Sequence, residues 1–261
     1  MKNLLKLSFF LILALSIFVS KVNAAGEQQE PLKVDWSFKS FFGKFDRASL
    51  QRGYQVYTEV CASCHSLKHL SYRNLAEKGG PEFTEAEAKA IASNFEVTDG
   101  PNSDGEMFDR PAKLSDKFVM PYANVQEAIV ANGGAYPPDM SVLVKARSGG
   151  ANYIYSVLMG YDDPPSGMEL DDGVYYNKYM YGNKIKMASP LDDDIVEYSD
   201  GTKATVDQMA KDVTTFLQWA AEPHLEQRHK TGVRVILYLL VLTILVYFSM
   251  KKIWSRIETK V

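Results

Sequence analysis

The chain has 261 residues, of which 46% are hydrophobic and 23% charged, ordinary proportions for a globular protein. That length fits one medium-sized domain with membrane segments and leaves little room for two large domains. The net charge of −3 hides an asymmetry: from Gly26 to Glu226 there are 31 acidic against 19 basic residues, a local charge of −12. So acidic a stretch argues against nucleic acid as a partner and for a basic protein.

In chain order, the first segment reads as a targeting sequence. Lys2 and Lys6 give a positive end ahead of an apolar run from Leu7 to Val19, and Val22-Asn23-Ala24 follows with small residues where a signal peptidase reads. This predicts a signal peptide over residues 1–24, cleaved after Ala24, and an exported domain over residues 25–226. The apolar run is too short to cross ~30 Å of hydrocarbon as a straight helix. No Arg-rich, Ser-rich transit segment precedes it, so the expected location is bacterial, with the domain in the periplasm.

Leu50, Tyr54, Tyr57 and Cys61 recur at helical spacing, predicting a helix that starts near Asp46. Thr84 to Glu87 has capping-box spacing and opens a helix to about Phe95. Asn124 with Glu127 opens a short helix that Asn132-Gly133-Gly134 ends. A further helix is expected from Ala151 to Met159, closed by Gly160. Thr205 with Gln208 opens the last soluble helix, with Val206, Met209, Val213, Phe216 and Ala220 on its buried side and Pro223 as its stop. About ten polar residues then lead to an apolar segment. Little strand pattern is visible, and long loops such as Thr98–Arg110 and Tyr161–Asp194 imply that something buried organises them.

Val235 to Met250 is almost uninterruptedly apolar, and Val233 with a snorkelling Arg234 extends it to a transmembrane helix over residues 233–250. Lys251, Lys252, Arg256 and Lys260 follow, with Trp254 as an interfacial anchor. Positive charge of this kind places the tail, residues 251–261, in the cytoplasm of a bacterial inner membrane.

The strongest chemical signal is Cys61-Ala62-Ser63-Cys64-His65. Two cysteines three apart each form a thioether with a haem vinyl group, and the adjacent His65 presents a ring nitrogen to the iron. A zinc site would need a further ligand pair, and only His69, His224 and His229 remain. A thiol-exchange site normally opens a helix after a strand, whereas this motif follows a helix. His69 lies one turn beyond His65 and so on the same side of the ring. For the sixth iron position methionine is the usual choice. Met107, Met120, Met140, Met159, Met168, Met180 and Met187 are all candidates from spacing, with Met187 set apart modestly by its irregular segment before the last soluble helix.

These residues resemble the cytochrome c1 family, the haem subunits of ubiquinol:cytochrome c oxidoreductase, the cytochrome bc1 complex. The resemblance runs through RGYQVYTEVCASCHS (Arg52–Ser66), DGPNSDGEMFDRPAKLSD (Asp99–Asp116) and NGGAYPPDMS (Asn132–Ser141). It continues through KARSGGANYIYSVLMGY (Lys145–Tyr161), KMASPL (Lys186–Leu191) and KDVTTFLQWAAEP (Lys211–Pro223). It implies a mainly α, cytochrome c-like domain with long loops around one covalent haem c, plus one C-terminal transmembrane helix. It implies Met187 as the sixth ligand opposite His65, Arg147 near a haem propionate, and Asn132 to Pro138 lining the pocket. It implies cytochrome b as a partner, a Rieske iron–sulfur protein as electron donor and a c-type cytochrome as acceptor. No substrate bond breaks on such a chain, so catalysis would belong to the complex. A membrane-tethered shuttle cytochrome outside such a complex is the alternative. A peroxidase, which needs an open iron position, and a thiol oxidoreductase are readings from other classes. The acidic pairs Asp162-Asp163 and Asp171-Asp172, with Asp192-Asp193-Asp194, would attract a basic cytochrome.

Overall fold

The computed structural model describes residues 29–258, so the expected signal peptide lies outside the described residues. Helix α1, Arg47–Val56, begins where Asp46 accepts hydrogen bonds from the Ala48 and Ser49 N–H groups. It runs into a π-helical turn, Tyr57–Cys61, and a 3₁₀ turn follows at Tyr72–Ala76. The Thr84–Glu87 capping box opens α2, Glu85–Ser93, two residues shorter than the spacing suggested. Asn124 accepts from the Glu127 N–H to open α3, Val125–Ala131, and Gly160 closes α4, Ala151–Met159. Helix α5, Val206–Ala221, starts at a Thr205 cap, and Pro223 separates it from α6, Leu225–Glu258.

The core forms where α1 crosses α5. Leu50, Tyr54 and Tyr57 meet Phe216 and Trp219, all nearly inaccessible to solvent. Tyr54 and Tyr57 hold ring centroids 5.7 and 5.8 Å from Phe216, and Phe118 and Tyr72 extend the cluster. Gly53 permits the crossing: a Cβ there would stand 2.1 Å from the Asp212 carbonyl oxygen. Beside it, Arg52 clasps the buried Asp212 carboxylate through two N–H donors, at 2.8 and 3.1 Å. The segment before α1 lies along α4, where the Leu32 N–H donates to Ser156 Oγ and the Trp36 indole donates to Asn152 Oδ1.

Three expectations are corrected. Part of the long loop after α2 is an antiparallel hairpin, β1 (Glu96–Asp99) with β2 (Phe108–Pro111), and β3 (Tyr175–Tyr176) pairs with β4 (Lys184–Ile185). Neither strand of the hairpin carries apolar alternation; it is held by polar pairs, exposed Thr98 with Asp109 and half-buried Arg110 with Asp99. The helix expected over residues 233–250 begins earlier, among the polar residues ahead of it: α6 is continuous over 34 residues, about 51 Å long. Its N-terminal turns therefore extend beyond the ~30 Å hydrocarbon thickness. The third concerns His69. The helix does not continue through His65, so helical phase does not place His69; it is exposed in a turn, its N–H donating to Ser141 Oγ.

Candidate functional site

The π-turn decides how the two cysteines are displayed. Widening the last turn of α1 sends the Ala62 N–H to the Tyr57 carbonyl at 2.7 Å, and the Cys64 and His65 N–H groups then fold back onto the Cys61 carbonyl at 3.1 and 2.9 Å. Cys61, Cys64 and His65 thus share one tight turn, and such local widening of a helix is frequent at functional sites. The buried Tyr57 hydroxyl donates to the His65 carbonyl at 3.0 Å, fixing the turn to the aromatic core. Both thiols are unbridged. Burial, with Cys64 close by, pushes the Cys61 thiol up to about 12. A thiol-exchange nucleophile needs the opposite shift, so this turn is a poor exchange site. Among the described residues there is no group of three or more His, Cys, Asp or Glu that could hold a metal ion.

His65 is buried, and its Nδ1 lies 2.9 Å from the Pro138 carbonyl oxygen. A carbonyl only accepts, so Nδ1 carries the proton and Nε2 presents its lone pair. Burial depresses the imidazole pKa, opposed by the Pro138 carbonyl and Asp139, which keeps the ring neutral as a ligand requires. Asp139 ties this loop to the cysteine turn: its carboxylate accepts from Ser66 Oγ (2.7 Å) and the Lys68 N–H (3.0 Å), and from the Ser141 N–H (3.0 Å). Burial would raise its pKa, but these hydrogen bonds overcome that and hold it below the usual carboxylate value.

Cys64 opens onto a cleft of about 180 Å³ walled by Met120, Pro121, Val125, Ala128, Tyr136 and Pro137. Met120, Val125 and Tyr136 are exposed apolar residues beside it. Of the seven candidate methionines, Met140 is buried in the core and the Met180 sulfur accepts from the Tyr153 hydroxyl. Met187 is half-buried, held where the Tyr161 hydroxyl donates to its carbonyl at 3.0 Å. Its neighbour Lys186 reaches the Gly133 carbonyl at 3.2 Å, joining the Met187 segment to the loop that carries Pro138.

The chain from residue 36 to 257 matches the family model described as the Cytochrome C1 family. It is a member of the cytochrome c1 family. The chain is 44% identical, over 97% of its length, to "Cytochrome b/c1" of Bradyrhizobium diazoefficiens, of which the match covers 40%. It is 47% identical to "Cytochrome c1 1, heme protein, mitochondrial" of Arabidopsis thaliana, over 93% of the chain and 78% of that protein. It is also 49% identical to "Cytochrome c1, heme protein, mitochondrial" of Saccharomyces cerevisiae, over 86% of the chain and 72% of that protein. Among the described residues α6 is the one helix long and apolar enough to cross a membrane. Among its described residues this family member crosses the membrane once, through α6.

The remaining expected site residues fall out differently in this cytochrome c1. Pro138 takes part through its carbonyl. The Asn132 amide donates to the Ala128 carbonyl and Tyr122 hydroxyl, closing the end of α3. Arg147 is exposed, donating to the Ala146 carbonyl and to no residue of the cysteine turn. Donor chemistry and surroundings fit a c-type haem: paired thiols, a neutral imidazole with Nε2 available, and an apolar wall. Sequence reasoning missed Tyr57 as the tether of His65 and Asp139 as the link between the loops. Only the position of Asp139 directly after Pro137-Pro138 hinted at the latter.

Proposed function

We propose that this cytochrome c1 is the electron-transfer subunit of a cytochrome bc1 complex, with one haem c thioether-linked through Cys61 and Cys64. His65 Nε2 and the Met187 sulfur would hold its iron. The observation that carries the reading is the His65 Nδ1–Pro138 contact at 2.9 Å on the same turn as two unbridged thiols. That hydrogen bond fixes the ring tautomer and raises the basicity of the other nitrogen. The haem supplies a one-electron Fe(III)/Fe(II) couple, and methionine as second ligand raises its potential. The chain's own part is to hold the imidazole, exclude water with the Met120–Pro137 wall and position Met187 through Tyr161. Arg147, being exposed, is free to turn toward a propionate, and Asn132 shapes the loop ahead of Pro138.

In this reading cytochrome b is the membrane partner, a Rieske iron–sulfur protein gives the electron and a c-type cytochrome takes it. The haem domain, residues 25–226, follows a signal peptide, residues 1–24, and stands in a bacterial periplasm. Residues 233–250 cross the inner membrane, and the basic tail, residues 251–261, lies in the cytoplasm. Support for the cytochrome b partner comes from the relatives' names, one "Cytochrome b/c1" and one "Cytochrome b-c1 complex catalytic subunit, mitochondrial" of Candida albicans, and support for the orientation comes from Lys251, Lys252 and Arg256 after the span.

An absorption spectrum and redox titration of the purified protein beside its Met187→Leu variant test the ligand set. The wild type should be low-spin with haem that resists extraction, and the variant should lose the six-coordinate signature and drop in potential. An unchanged variant would transfer the role to another methionine, Met120 first. Protein free of porphyrin, from cells competent in c-type maturation, would end the haem reading.

A further inference from the structure

Trp36 to Phe45 forms a closed turn. The Lys39 N–H donates to the Trp36 carbonyl (3.0 Å), the Gly43 N–H to Ser40 (2.8 Å) and the Lys44 N–H to Ser37 (3.2 Å). Trp36, Phe38 and Phe45 point inward, with Phe38 stacked on Trp36 at 5.4 Å. Phe41 and Phe42 point the other way, 68% and 70% exposed, their rings edge to face at 4.9 Å. Two adjacent phenylalanines held outward by an ordered turn form an apolar patch that needs a partner.

The turn is fastened to the membrane helix. The Phe45 N–H donates to the buried Glu226 carboxylate at 3.0 Å, and Arg47 pairs with the same carboxylate at 2.8 Å. Glu226 sits in the first turn of α6, seven residues ahead of Val233, which puts it about 10 Å above the edge of the hydrocarbon. Phe42 is three residues from Phe45, a reach of about 10 Å. The headgroup layer on each face of a bilayer is ~5–8 Å thick. The patch therefore stands within reach of the lipid surface, flanked by exposed Lys39 and Lys44, which suit anionic headgroups.

We propose that the Phe41–Phe42 tip is a second membrane contact, inserting into the headgroup layer beside α6 so that the domain rests on the bilayer at two points. Aromatic rings are favoured at that depth, and Lys39 and Lys44 stay at the phosphates. The consequence is orientation: the domain would be unable to swing freely about the start of α6, and the cysteine turn would keep a fixed height above the lipid.

The test is photocrosslinking of the full chain in its native membranes, with p-benzoyl-phenylalanine introduced in turn at Phe41, Phe42, Leu240 and Asp104. Mass spectrometry then reads what each site captured. Adducts heavier by one phospholipid at positions 41 and 42, and none at Asp104 in the exposed acidic loop, are expected. Capture of another protein at both tip positions would mean that a subunit covers the patch, and no adduct at either would mean that it stays in water; each overturns the proposal. Leu240, in the middle of the expected span, must itself give a lipid adduct. Its failure would refute the span, separately from the tip.

Discussion

Asp139 bears on His65, the proposed iron ligand, without touching it. Its carboxylate accepts three hydrogen bonds, from Ser66, Lys68 and Ser141, and so holds the chain after His65 against the loop that offers the Pro138 carbonyl. Asp139→Ala leaves those three donors without their partner, each a loss of roughly 1–3 kcal/mol if it stays buried, so thermal stability should fall measurably. A redox titration is the sharper readout. Loosening the Pro138 carbonyl weakens its hold on the Nδ1 proton, makes Nε2 a poorer donor to ferric iron, and should raise the potential. Asp139→Asn keeps one acceptor oxygen and should lie between wild type and Ala. A variant that melts earlier at unchanged potential would show that Asp139 only staples loops. The sequence displayed the proposed haem-binding turn because its spacing is local, Cys61 to His65. It could not display Asp139 or Tyr161, whose contacts join residues 26 to 73 positions apart.

At the scale of elements, helix starts were legible because a cap and its partner lie three residues apart, as at Thr84–Glu87, Asn124–Glu127 and Thr205–Gln208. The β1–β2 hairpin was not, since its pairs are polar and its strands lack an apolar period. Nor was the π-turn, which ended the helical phase just where His69 was being placed. The α1–α5 crossing was also hidden, although it depends on one residue. Gly53→Ala would drive a methyl into the Asp212 carbonyl, which belongs to helix backbone and cannot rotate away. The helices would have to separate, at a cost of about 1–3 kcal/mol, and calorimetry should record the lower melting temperature. The joint between α5 and α6 makes a different prediction. Glu222 accepts from Lys145 at 2.9 Å and Arg228 at 2.5 Å across Pro223. Burial would raise its pKa, but the pairing with Arg228 and Lys145 outweighs burial and keeps it below the ordinary value. A depressed carboxylate stabilises the fold above the unfolded pKa of about 4.3 and loses that contribution as pH falls through the folded value. The protection of the amides around Pro223 against hydrogen exchange, relative to their intrinsic rates, should therefore fall on acidification below about pH 4.3, and Glu222→Gln should remove most of that pH dependence.

For the whole molecule the acidic excess from Gly26 to Glu226 is the feature with the longest range. The structure divides it unevenly. Asp162 pairs with Lys178, and Asp193 accepts from the Val206 N–H at the start of α5, so both carboxylates are engaged within the fold. Asp163, Asp171, Asp172, Asp192 and Asp194 are exposed. If a basic cytochrome is the acceptor, their field should speed its approach at low salt and fade as the screening length shrinks to ~8 Å near physiological ionic strength. Stopped-flow measurement of electron delivery should show the bimolecular rate falling by at least about tenfold over that range. The two groups of carboxylates then separate by variant. Asp171→Asn with Asp172→Asn should flatten the salt dependence without changing the melting temperature, because charges at the rim act on encounter. Asp193→Ala should leave the slope nearly as it was and remove the acceptor of the Val206 N–H at the start of α5, a loss of about 1 kcal/mol. A rate indifferent to salt would mean that the negative surface keeps the domain soluble and plays no part in choosing the acceptor.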